Sequence, residues 1–216
     1  MNEQWSAVDD YVSETVIGSD DALERALEDS QKAGLPSINV TPAQGKLLFL
    51  LARIRGAKRV LEIGTLGGYS SIWLGRAVAP DGRVTTLEID PHHAEVARKN
   101  IDRAGLRDVV DIRLGRALDT IKTLPGPFDF FFIDADKAVI PEYFRAALQL
   151  SHGGSVIVVD NVVRKGELAN AASDDENVRG VRRLHDVIAN EKRVTATTIQ
   201  TVGSKGYDGF TLALVI

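Results

Sequence analysis

Arg59-Val60-Leu61-Glu62-Ile63-Gly64-Thr65-Leu66-Gly67-Gly68-Tyr69-Ser70 is a short apolar run closed by an acid, then a turn with three glycines, then the start of a helix-forming stretch. Glycines let a backbone turn tightly and approach a ligand closely. Working outward, the same rhythm repeats. Strands are predicted at Arg59–Ile63, Val84–Leu87, Val109–Leu114, Phe128–Ile133 and Ser155–Val159. Helices are predicted at Ser70–Ala79, His92–Ala104, about Pro141–Leu150 and Val178–Asn190. The strands are continuous apolar runs, which suits a parallel sheet covered on both faces. Two late strands, Thr195–Gln200 and Phe210–Val215, flank a Gly-rich turn and are expected to pair antiparallel at one edge. Upstream, Leu23, Ala26, Leu27 and Ser30 fall at helical spacing, and Gly34-Leu35-Pro36 stops that segment. Pro42 opens another helix with Thr41 as N-cap, Leu47, Leu48, Leu51 and Ile54 as its buried face, and Gly56 at its end. The expectation is one α/β domain over 1–216: a seven-stranded, mostly parallel sheet with an antiparallel edge and extra N-terminal helices.

Composition excludes several classes. There are 216 residues, with 26 Lys+Arg against 30 Asp+Glu and a formal charge of −4, so no basic footprint for nucleic acid exists. The cluster Arg179, Arg182, Arg183 reads as a solvated helix face. With no cysteine, disulfides, thiolate metal sites and Cys nucleophiles are out, and a reducing compartment is compatible. The longest apolar run, Leu47–Ala52, is far short of the ~20 residues that span a bilayer. The polar, acidic stretch from Met1 to Val12 lacks the pattern of a signal peptide. The expectation is therefore a cytoplasmic protein with a small-molecule partner, no nucleic acid and no membrane.

In an open parallel sheet, ligands bind at the carboxyl ends of the strands. Four of the five runs close on an acid there: Glu62, Glu88, Asp134 and Asp160. Acids form strands poorly and are rarely buried unpaired, so four at one rim suggest a site. The Gly-rich turn alone is a weak signal. Leu66 stands where the dinucleotide fingerprint needs a glycine, and the turn offers no P-loop lysine. Glu88, at the next strand end, suits a ribose, so a nucleoside fits without a pyrophosphate. Asp134, Asp160 and Asn161 are hard oxygen donors suited to Mg²⁺, Ca²⁺ or Mn²⁺. If their strands are neighbours, a spacing of about 4.8 Å brings the two carboxylates together. His92, His93, His152 and His185 are read as surface polar residues.

The turn 62–70 with Glu88-Ile89-Asp90 resembles the S-adenosylmethionine site of class I methyltransferases, which have a Rossmann-like fold. Phe132-Ile133-Asp134-Ala135-Asp136-Lys137, Val159-Asp160-Asn161-Val162 and Lys205-Gly206-Tyr207-Asp208-Gly209-Phe210 narrow it to the cation-dependent O-methyltransferases of the caffeoyl-CoA and catechol type. The likeness runs from about Ile38 onward and is specific for the family, not for a substrate. It implies S-adenosylmethionine bound by Val40, Glu62, Gly64, Thr65, Gly68, Ser70, Glu88, Ile89, Ala117 and Asp134. Glu62 and Gly64 would line the methionine end, Ser70 its carboxylate, Glu88 the ribose and Ala117 the adenine. Asp134, Asp160 and Asn161 would bind the metal, Lys137 would be the general base, and residues 1–57 would be a helical extension and cover. It also implies a homodimer, for which Trp5, Val8 and Tyr11 could supply apolar surface.

The chemistry so implied is methylation of a catechol-like aromatic hydroxyl. Chelation orients and acidifies the hydroxyl. Lys137 takes its proton, with burial and a neighbouring cation favouring the neutral amine and Asp136 opposing it. The oxygen then attacks the sulfonium methyl. Asn39 and Tyr207 are the acceptor-pocket candidates, with Ile38 and the Arg164–Asn177 loop as further walls. Two other readings stay open: an NAD-type oxidoreductase, against which Leu66 and the unused Asp134, Asp160 and Asn161 count, and a cofactor-binding regulator without catalysis.

Overall fold

The protein is described by a computed structural model that covers residues 2–216; Met1 lies outside them. Asn2 accepts from the Gln4 N–H and caps α1 (Glu3–Val12), which the sequence reading had not delimited; a π turn, Ser13–Ile17, follows. In α2 (Asp21–Lys32), Asp20 accepts from the N–H groups of Ala22 and Leu23 and pairs with Arg76 at 2.6 Å, tying the helix to the body. Thr41 caps α3 (Pro42–Arg55) through the Gln44 N–H, and Gly56 ends it in left-handed backbone. The buried stripe of α3 differs from expectation. Gly45, Leu48 and Ala52 face inward, while Ile54 is 81% exposed. The cause is Trp73, whose indole lies against Gly45 and draws the small-residue face of α3 onto the next helix.

From there strands and helices alternate: β1 (Arg59–Ile63), α4 (Tyr69–Val78), β2 (Arg83–Glu88), α5 (Pro91–Arg103), β3 (Val110–Leu114), a short unforeseen α6 (Ala117–Ile121), β4 (Phe130–Ile133), α7 (Ile140–Gln149), β5 (Val156–Asp160), α8 (Glu176–Asn190), β6 (Val194–Gly203) and β7 (Gly206–Val215). The seven strands order as β3-β2-β1-β4-β5-β7-β6. β1 to β5 are parallel, and β7 runs antiparallel between β5 and β6. The late hairpin is longer than expected at both ends, with Gly203 opposite Gly206.

Phe130, Phe131 and Phe132 on β4 are all essentially inaccessible and feed both cores: Phe130 and Phe132 join Val60 and Trp73 on one face, Phe131 joins Leu61 and Phe144 on the other. Each such side chain contributes about 1.5–3 kcal/mol. β3 lies at the sheet edge, so Val110 is buried while Asp111 and Arg113 stay exposed. The winding reverses between β1 and β4, which opens a crevice at the carboxyl end of that pair. Among the described residues, no helix is long and apolar enough to cross a membrane.

Candidate active site

The crevice is a cavity of about 720 Å³. Its floor is the turn after β1. Gly64 sits at φ +101, and a Cβ there would lie 2.1 Å from the Asp134 carbonyl oxygen, so only glycine lets the ends of β1 and β4 touch. Glu88 ends β2 and braces this turn. One carboxylate oxygen accepts from the N–H groups of Thr65 (3.2 Å) and Leu66 (2.8 Å), the other from Ile89 and Asp90 (both 2.9 Å). These four N–H donors fix its carboxyl group with one edge on the cavity. Glu62, one residue before Ile63, faces α4 instead. It is fully buried, Ser71 donates to its Oε2, and its Oε1 has no partner. Burial pushes its carboxyl up to about 7, against the opposing Ser70, Ser71 and Thr86 hydroxyls, with the Asp134 charge adding to the rise.

The acidic wall comes from β4 and β5. These strands pair with Ile133 opposite Val159, so Asp134 and Asp160 leave the sheet on the next rung, side by side. Asp134 accepts from Lys137 Nζ at 2.7 Å, and Lys137 is itself buried. Asp160 is 5% exposed; burial first and the Asp134 carboxylate second push it up to about 7, opposed by Lys137. Asn161 takes left-handed backbone at φ 54, which Asn tolerates better than most residues, and it lines the cavity next to Asp134. Asp160 is buried and Asp134 partly so; with Lys137 paired to Asp134 alone, the two neighbouring acids are short of a cationic partner, which is costly unless a further cation joins them. With the Asn161 amide the donors are three oxygens, the set a hard divalent cation takes. Among the described residues no group of three or more His, Cys, Asp or Glu is arranged to hold a metal ion; the third donor here is an amide.

Of the residues named from the sequence, the structure brings Val40, Gly64, Thr65, Ser70, Glu88, Ile89, Ala117, Asp134, Lys137 and Asn161 together in the cavity lining. Glu62 and Asp160 stand behind that lining, and Gly68 begins α4 with its backbone against Ala97 of α5. Asn39 lies in an adjoining cavity of about 440 Å³, its amide donating to the Val40 carbonyl. Tyr207 is outside the lining of the larger cavity; its hydroxyl bonds to Gln200 across the hairpin, and its ring closes on Gly166. Ile38 lines the mouth, and from the 164–177 loop Arg164 does. His93, Tyr143 and Arg164 are wall residues that the sequence reading did not single out. His93 had been set aside as surface polar, yet its ring stands 3.6 Å from Glu88.

This geometry agrees with the comparisons. Residues 13–216 match the O-methyltransferase family. The chain is 49% identical over 220 residues to a catechol O-methyltransferase of Niastella koreensis, covering 100% of both chains. It is 53% identical over 209 residues to a catechol O-methyltransferase of Mycobacterium tuberculosis, covering 96% of this chain and 94% of that one. The crystal structure of the O-methyltransferase from Bacillus cereus in complex with SAH superposes with a TM-score of 0.98 at 53% identity, with 100% of each chain covered. A seven-stranded class I sheet, a glycine turn at its switch point and half-identity over the whole length leave one assignment: the chain belongs to the O-methyltransferase family.

Proposed function

We propose that this O-methyltransferase moves the S-adenosylmethionine methyl group onto one hydroxyl of a catechol-like ring, with a divalent cation, Mg²⁺ first, held by Asp134, Asp160 and Asn161. The observation that carries the reading is the pair of neighbouring carboxylates at the paired ends of β4 and β5, Asp134 in the cavity lining beside the glycine turn and the buried Asp160 next to it. A cation bound there would acidify and orient a vicinal diol.

The chain's own residues do the rest. Glu88 accepts from the ribose at the edge it leaves open, while it keeps the 65–66 backbone in place. Ser70, in the first turn of α4, meets the donor's carboxylate where helix N–H groups and the helix dipole favour an anion. The unpartnered Oε1 of Glu62 lies behind that end of the cavity. Lys137, hydrogen-bonded to Asp134 in the cavity lining, is the base that receives the hydroxyl proton. Ile38 and Val40, from the 1–57 segment, cover the mouth and exclude water.

The test is methyl transfer to catechol and to phenol, with Mg²⁺ and with EDTA. Catechol with Mg²⁺ should turn over and the other combinations hardly at all; equal rates on catechol and phenol overturn the chelate. Asp160→Ala should lose about three orders of magnitude in turnover, the several kcal/mol of a lost Lewis acid. Its affinity for S-adenosylhomocysteine should stay within a few-fold. Near-wild-type turnover in saturating Mg²⁺ would remove Asp160 from the metal site.

A further inference from the structure

Three residues beyond Asn161 the backbone enters an unfavourable conformation. Arg164 and Lys165 are both left-handed, at φ 54 and 57, and Gly166 follows at φ 90. Side chains with a Cβ avoid this region, and consecutive residues there persist only where the surroundings dictate it. Asp208 dictates it: its Oδ1 accepts from the N–H groups of Val163 (3.0 Å) and Arg164 (2.9 Å). The Tyr207 ring closes the turn from below, 3.3 Å from where a Cβ on Gly166 would stand. What the strained turn achieves is to set Arg164 in the wall of the large cavity, in the company of Asn161.

The Arg164 side chain has no partner for its charge. Its Nε is buried without a hydrogen bond, and among the described residues its guanidinium forms no ion pair. The other basic side chains of the same wall are engaged. Lys137 is held by Asp134, His93 faces Glu88, and Arg116 lies 3.9 Å from Asp119, largely in solvent. Asp175 feels the Arg164 charge, but its carboxylate caps α8 through the Asn177 N–H. A half-buried guanidinium with an unpaired Nε is unfavourable until something anionic meets it. Its planar fork matches a carboxylate.

We propose that Arg164 is a specificity-determining residue that receives a carboxylate on the acceptor ring, so that the preferred acceptor is an acidic catechol. This rests on the catechol reading above. The ring is then fixed from two sides, by its diol at Asp134, Asp160 and Asn161 and by its acid at Arg164.

The experiment measures KM and kcat at saturating donor and Mg²⁺ for 3,4-dihydroxybenzoate, its neutral carboxamide and catechol, with wild type, Arg164→Gln and Arg164→Lys. Wild type should prefer the acid over the amide in kcat/KM by about 10- to 150-fold, the range of a charged hydrogen bond, through KM. Arg164→Gln should bring the ratio close to one, and Arg164→Lys should restore part of it. A wild-type ratio near one overturns the proposal, even should Arg164→Gln fail to fold. So does a variant that slows acid and amide alike while keeping the ratio, the mark of a merely structural arginine. Transfer to none of the three acceptors overturns the catechol reading and this proposal together, whereas transfer without preference overturns this proposal alone.

Discussion

Glu62 and Glu88 are the same residue type at the ends of neighbouring strands, and their surroundings drive them apart. Glu88 collects four backbone N–H donors at the edge of the cavity. Glu62 is buried behind the turn, with a carboxyl raised from 4.5 to about 7. The sequence showed two acids at one rim; it could not show which N–H groups converge on each, because those come from a turn folded back across the sheet. The raised value has a pH signature. Between about 4.5 and 7 the folded protein keeps a proton that the unfolded chain has released, so stability falls as pH rises through that window. The full effect is roughly 3–4 kcal/mol, from 2.5 pH units at about 1.4 each. Glu62→Gln, neutral at every pH, should flatten that part of the curve and raise the melting temperature at pH 8 by several degrees. Melting curves in EDTA test this; parallel curves for wild type and variant from pH 5 to 7 would contradict it. The same variant should bind S-adenosylhomocysteine more weakly.

At the scale of elements, α8 reaches the site through one missing side chain. A Cβ on Gly180 would lie 2.0 Å from the Lys137 carbonyl oxygen and 2.9 Å from Ala138 Cα, so the helix rests on the turn that carries Lys137. Arg183 donates to the Ala138 carbonyl from the same helix, and Arg182 to Leu168. Two of the three arginines read as a solvated face therefore hold neighbouring turns; Arg179 alone pairs with exposed acids, Asp174 and Glu176. The helix itself was legible from its apolar spacing. These contacts were not, because they join the helix to turns 14 to 45 positions earlier in the chain. Gly180→Ala must push backbone against backbone. It should lower kcat by about 10- to 100-fold, the scale of an ångström-sized misplacement, with little change in donor affinity. Steady-state kinetics with calorimetric titration of S-adenosylhomocysteine separate the two; wild-type kcat would show that Lys137 tolerates the shift.

Over the whole molecule, the alternation of apolar runs and helices was enough to expect seven strands, mostly parallel, with an antiparallel edge. It could not place β7 between β5 and β6, since chain order does not determine neighbours in a sheet. The N-terminal helices were expected, but not where the first of them docks. Asp9 of α1 accepts from the Ser204 N–H and hydroxyl at 2.7 and 2.9 Å, which joins α1 to the β6–β7 turn. Val8, Tyr11 and Val16 at the N-terminal end and Ile199 and Val202 on β6 are exposed apolar residues. A second copy of the chain is the expected cover, so light scattering at roughly 10 µM should give a dimer mass, and Tyr11→Asp with Val16→Asp should give a monomer. A monomeric wild type would end that expectation.

The position of β7 also bears on how the protein is made. β5 carries Asp160 at its end, and its free edge is taken by β7, with Asp160 opposite Phe210 and Val156 opposite Leu214. On a ribosome, β1 to β5 emerge in an order that lets each parallel neighbour dock as it appears, yet the edge beside Asp160 stays bare until residue 215 has been translated. β6 cannot fill it, because β6 meets the sheet only through β7. The nascent chain thus carries an open strand edge while residues 161–215 are made, the exposed hydrogen-bonding template on which misassembly begins. A polypeptide stalled before β7 therefore holds the glycine turn and the carboxylate pair, yet leaves the β5 edge beside Asp160 uncovered.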